Sequence, residues 1–279
     1  MPLDFAIPQL LLLADRTGPT VVAKSDGVPF ELEDAALRVA AKYGPRLPGI
    51  AVPRAVFAAP HGWSHVFVGQ VADQPGPDSP LGFRLLVLNR PLYDALGDPF
   101  AIADRYPPEW NARGALPVLT WPGEPLPPRR VEDVAALLKA GDGPLLLGAA
   151  QALLDGGRLM LKRGAPDDAV IPALWKLLPD RTRCGLWPAT FAFANDLGFH
   201  AVALPEVPAK TPMGYLSEEQ VKDYPEGRYE LAVQTAAESG NQADLDRLFA
   251  RASSWDVLRL AAAMVLGAVG VALVVKFLR

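Results

Sequence analysis

The stretch RCGLWPATFAFANDLGFH, Arg183 to His200, holds the lone cysteine of the chain and one of its three histidines. A thiol and an imidazole meeting across a hairpin would form a nucleophile and its general base, the chemistry of a hydrolase. Arg181 and Arg183 supply nearby positive charge, which favours a thiolate; burial in apolar surroundings would leave Cys184 inert. His65 is the other candidate base. Its neighbour Ser64 falls on the opposite face of a strand, and no GxSxG turn is present. His61 and His65 on one strand would share a face about 13 Å apart, too far for a common metal ion, so no metal site is expected.

Other chemistry is sparse. Neither a Walker loop nor GxGxxG occurs, and the glycines of LKAGDGPLLLG read as turn formers, so no cofactor is implied. Asp98, Asp104 and Glu109 are irregularly spaced carboxylates, and Asp98 before Pro99 has the arrangement of a helix N-cap with proline at the first helical position. Arg84, Arg105, Trp110 and Trp121 are of the types enriched at interface hot spots and are candidates for a protein-binding surface.

The elements that must position these groups follow from apolar patterning and punctuation. Leu10 to Ala14 suits a buried strand, TVVAKS a strand, and PFELEDAALRVAAKYG a helix with Pro29 at its start and Gly44 just past its end. RAVFAAP and GWSHVFVGQVAD read as a hairpin turning at Pro60 to Gly62, and FRLLVLNR as a further strand. Residues 91–128 alternate short helical pieces with proline turns and would wrap a surface. A helix at RRVEDVAALLKAG, the apolar stretch GPLLLGAAQALLDGG, a strand at RLMLKR and a helix at DDAVIPALWKLLP follow. A turn at PDRTR then leads into the Arg183 to His200 stretch, read as a core hairpin with FHAVAL as its second strand. Two charged helices, about 217–238 and 242–254, would form a stalk.

The expected fold is α/β or α+β, a mixed β-sheet core with packed helices, plus a C-terminal single transmembrane helix. The expected organisation is residues 1–128 and 129–205 as two α/β subdomains, 206–255 as a Pro-rich linker and stalk, and 256–279 as the anchor.

Bulk composition agrees with a folded, non-basic protein. Of 279 residues, half are apolar, and the formal charge of −4 argues against nucleic-acid binding, which normally shows a basic stripe. One cysteine excludes an internal disulfide framework and fits a reducing compartment. The N-terminus has an apolar run but lacks a basic n-region and carries Asp4 and Pro8, so a secretory signal is not expected.

From Leu260 to Val275 all 16 residues are apolar or glycine. As a helix that is about 24 Å, and Val257, Leu258, Phe277 and Leu278 extend it toward a hydrocarbon core of roughly 30 Å. Trp255, Arg259 and Lys276 suit the two interfaces. Gly267 and Gly270, with Ala263, would let two such helices pack closely as a homodimer. The expectation is a single-pass membrane protein, anchored at its C-terminus, with the N-terminal part cytoplasmic.

The segments VVAKSDGVPFELEDAALRVAAKYG and GWSHVFVGQVAD together resemble the opening of the N-terminal domain of bacterial GTPase-associated proteins of multi-gene conflict systems. LWKLLPDRTRCGLWPATFAF is similar to the helix-to-strand passage of their middle domain. The chain departs from that pattern in being short and in ending on an apolar anchor. The resemblance implies an adaptor or regulatory partner of a GTPase or other effector, and carries no catalytic residues across. The functional expectation is a non-enzymatic, membrane-tethered adaptor bound to the lipid bilayer and to a protein partner. The alternative is a membrane-anchored hydrolase using Cys184 and His200, or His65.

Overall fold

The computed structural model of the chain describes residues 4–76, 79–208 and 212–250. Its centre is a run of apolar strands that pair with their sequence neighbours. β1 (Phe5–Ile7) stands apart, while β2 (Gln9–Asp15) and β3 (Gly18–Ser25) form one antiparallel pair. After α1 (Phe30–Lys42), β4 (Ala55–His61), β5 (His65–Asp73) and β6 (Leu81–Asn89) make a meander whose last strand pairs with β2. Two short helices, α2 (Arg90–Leu96) and α3 (Pro99–Arg105), then pack on the meander, followed by β7 (Gly114–Leu116) and β8 (Leu119–Trp121).

The second half contributes α4 (Val131–Ala140), α5 (Gly143–Leu154), β9 (Arg158–Lys162), α6 (Val170–Leu177) and α7 (Asp180–Cys184). It continues with β10 (Pro188–Ala189), β11 (Ala201–Leu204), β12 (Tyr215–Leu216), α8 (Glu218–Lys222), α9 (Arg228–Ser239) and α10 (Gln242–Phe249). Among the described residues one ten-stranded mixed sheet runs β12-β9-β11-β10-β4-β5-β6-β2-β3-β7, and β1 pairs with β8 in a separate two-stranded sheet. The protein is a mixed α/β fold. Strands from both sides of residue 128 share this sheet and a single large apolar cluster, so the expected subdomains are joined through their cores.

Local signals account for many boundaries. α1 starts after Pro29, carries Glu31 and Glu33 in its first turn, and is followed by Gly44 at φ +99°, where an added Cβ would strike the backbone of Phe193 and Ala194. Asp98 caps α3 by accepting from Phe100 N (3.0 Å) and Ala101 N (3.1 Å), with Pro99 in the first helical position. Its loss would cost about 1 kcal/mol.

Four expectations need correction. The β4–β5 turn lies at Gly62 to Ser64, two residues later than expected: Pro60 stays in β4, which has little neighbour on that stretch of its other edge, so the missing N–H is tolerated. PDRTR is not a turn but enters the one-turn helix α7 behind Pro179. The Arg183 to His200 stretch is not a hairpin. β10 and β11 are parallel, because the chain leaves the sheet at Thr190, buries Phe191 and Phe199, and returns to start β11 beside Pro188. Finally, the segment expected as a stalk folds back: Val221, Tyr229, Val233, Leu245 and Phe249 belong to the main core.

Trp255, Arg259, Gly267, Gly270 and Lys276, the residues of the expected anchor, lie outside the described residues. Among the described residues, no helix is long and apolar enough to cross a membrane.

Candidate functional site

Cys184 is 9 % exposed, and its one S–H is shared between the carbonyls of Asp94 and Asp180, each 3.0 Å from the sulfur. Burial, reinforced by Asp94, pushes the thiol up to about 11, so it is protonated at neutral pH. His200 has other partners: its Nδ1 accepts from the Trp187 N–H at 3.1 Å, and burial together with Arg158 lowers its pKa to about 4. The partners of the thiol come from α2 and α7, those of the imidazole from the segment before β10. The two side chains share no hydrogen bond among the described residues, and the thiol is held in its unreactive, protonated form. Iodoacetamide at pH 7.5 should therefore leave Cys184 of the folded protein unmodified over hours and label it readily in denaturant. Labelling at similar rates in both states would overturn this assignment.

The hairpin shift changes the other histidines. His61 is not four residues along a strand from His65 but directly opposite it across β4 and β5, and the His61 ring rests 5.7 Å from that of Phe67. Burial, then the neighbouring His61, lowers the His65 pKa. Ser64 belongs to the turn, not to a strand face, and its Oγ lies 2.9 Å from His65 Nδ1. No carboxylate pairs with His65 among the described residues, so the group that would orient a Ser–His base is absent from its contacts. Among the described residues no group of three or more metal-ligating side chains converges.

Of the four residues singled out as a protein-binding surface, Arg84 and Arg105 line a cavity, while Trp110 and Trp121 pack beside it. The segment from Arg105 to Leu119 lies across β2 and β6, fixed by β7 on β3, by β8 on β1, and by Tyr106 Oη donating to Thr120 O at 2.8 Å. Arg84 is only 5 % exposed and Trp121 only 2 %, so neither offers a surface to a partner. Arg105 lies over the Trp121 ring at 4.7 Å, and Trp110 packs on the small cluster of Leu11, Ala23 and Leu116. Between segment and sheet is a cavity of about 230 Å³, lined among others by Gln9, Arg84, Arg105, Tyr106 and Glu109.

Arg84 forms its floor. On adjacent strands, Gln9 of β2, Arg84 of β6 and Gln70 of β5 point to one face, as the registers Leu11↔Arg84 and Gln70↔Arg84 require. Arg84 Nε donates to Gln9 Oε1 at 2.8 Å, and Nη1 donates to Gln70 Oε1 at 3.1 Å and to Tyr106 O. Each glutamine is oriented by its own amide: Gln9 Nε2 donates to Pro117 O, Gln70 Nε2 to Ala103 O and Tyr106 O. The direct hydrogen-bond partners of the guanidinium are thus neutral, and the charge that favours it, Glu109, acts from a distance. No carboxylate lies within ion-pair distance of it among the described residues, and burial lowers its pKa to about 10, still protonated at neutral pH.

No family model matches the chain, and no curated protein matches it.

Gln9 and Gln70 were not anticipated as site residues. A signal was present for Gln70, a polar residue inside the apolar run of β5, as Arg84 is inside GFRLLVLN; Gln9, at the start of β2, gave none.

Proposed function

We propose that this chain is a non-enzymatic adaptor, tethered to the cytoplasmic face of a membrane by its C-terminal apolar segment and recruiting a protein partner through its α/β unit. The observation that carries the recruiting role is Trp63. It stands at the tip of the β4–β5 hairpin with 97 % of its surface exposed, held forward by paired strands and by Gly62 at φ +58°. Tryptophan is among the residue types most enriched at interface hot spots. Phe30, 76 % exposed, opens α1 just after β3, whose C-terminal end lies at the same end of the sheet as the tip of the β4–β5 hairpin.

The recruiting surface therefore differs from that expected around Arg84 and Trp121, which are buried. The hydrolase alternative loses support from the protonated thiol of Cys184, whose hydrogen bonds go to the Asp94 and Asp180 carbonyls and not to His200. A GTPase or other effector is the partner class that the family resemblance implies. Affinity capture with the detergent-solubilised full chain should enrich a protein that residues 251–279 alone do not. Equal capture by both would count against recruitment by the α/β unit.

A further inference from the structure

We propose that the cavity over Arg84 is a binding site for the carboxylate of a small monocarboxylic acid. This inference is independent of the membrane tether and of Trp63. It begins from an imbalance: a guanidinium buried to 5 % exposure has two of its three nitrogens satisfied by neutral acceptors, while no acceptor among the described residues takes up Nη2. Glu109 across the cavity favours the Arg84 charge but lies beyond ion-pair distance of it, and an anion delivered from solvent into the adjoining cavity would pair with the guanidinium directly.

The lining selects among anions. Arg105 and Glu109 are exposed and line the cavity, so with Arg84 the site carries two positive charges and one negative. That balance suits a monoanion and works against a doubly charged phosphate, which would be brought near the Glu109 carboxylate. Leu11, Leu116 and Leu119 give the cavity apolar walls, and a volume of about 230 Å³ limits the alkyl part to a short chain. Arg is the side chain best matched to a carboxylate, because its planar donors are set in a fixed fork. The two pinned glutamines hold that fork in place before anything binds, so no ordering of the guanidinium remains for the ligand to induce.

The test is NMR line broadening of ¹³C-propionate by the detergent-solubilised full chain, at constant ionic strength, with propionamide and inorganic phosphate as comparison probes. Propionate should bind saturably, and propionamide, the same shape without charge, should not. Arg84→Lys keeps the charge but loses the fork, and should weaken propionate at least about tenfold. Because Arg84→Lys also disturbs the buried network, Glu109→Gln serves as the variant that leaves the fold intact. Removing its negative charge should tighten propionate about threefold, an effect that a purely structural Arg84 does not produce. Absence of propionate binding, equal binding of propionamide, tighter binding of phosphate, or no tightening in Glu109→Gln would each overturn the proposal.

Discussion

Replacing Gly69 with alanine is expected to destabilise the protein by about 3 kcal/mol and to lower its melting temperature by roughly 10 °C. Gly69 lies in β5 directly opposite Phe57 of β4, and the Phe57 ring lies over it. An added Cβ would fall well inside van der Waals contact of Phe57 Cε1 and Cζ. The ring has nowhere to go: Phe57 is fully buried, with Tyr43 at 5.5 Å and Phe199 at 5.8 Å between ring centroids. Thermal melts of the full chain in detergent measure the effect. Combining Gly69→Ala with Phe57→Leu should be less damaging than the sum of the single changes, because the smaller side chain makes room. A Gly69→Ala protein melting within 2 °C of the parent, by this order-of-magnitude reckoning, would contradict the close packing.

The second large effect concerns recognition. Trp63→Ala should leave the melting temperature nearly unchanged, since the side chain packs on almost nothing within the chain. Capture of the partner should nonetheless fall about thirtyfold, the size of loss expected when a hot-spot tryptophan worth about 2 kcal/mol is truncated. Titrating immobilised parent and variant against the captured partner separates the two. Undiminished affinity in the variant would remove Trp63 from the interface and shift attention to other exposed groups.

How much of this was legible in the residues differs by element. Strands β2 to β6 and helix α1 were readable because continuous or alternating apolar runs end at Pro, Gly or charged residues, and because they pair with sequence neighbours. Asp98 was readable as a cap because its signal is local. The parallel pairing of β10 and β11 was not: it depends on β4 and β9 lying on either side, contacts far apart in sequence. The two-residue error at Pro60 had the largest chemical consequence, since it decided whether His61 and His65 were distant or opposed. For the cavity, the residue types were noticed but their depth was not. Arg84 looked like a surface cation because its acceptors, Gln9, Gln70 and the Tyr106 carbonyl, come from three other segments. Trp121 looked exposed because the side chains against its ring, Arg105 and Tyr106, come from the end of α3, and its strand pairs with residues near the start of the chain.

The central claim, an adaptor held at a membrane by its own C-terminal segment, rests on the 16 consecutive apolar or glycine residues from Leu260 to Val275. Its most direct test is fractionation of the full chain and of a chain ending at residue 255, followed by alkaline carbonate extraction of the membranes. The full chain should remain in the carbonate-washed pellet and be released only by detergent, while the shortened chain is soluble and melts cooperatively. Release of the full chain by carbonate, or pelleting of the shortened chain with membranes, would contradict the account.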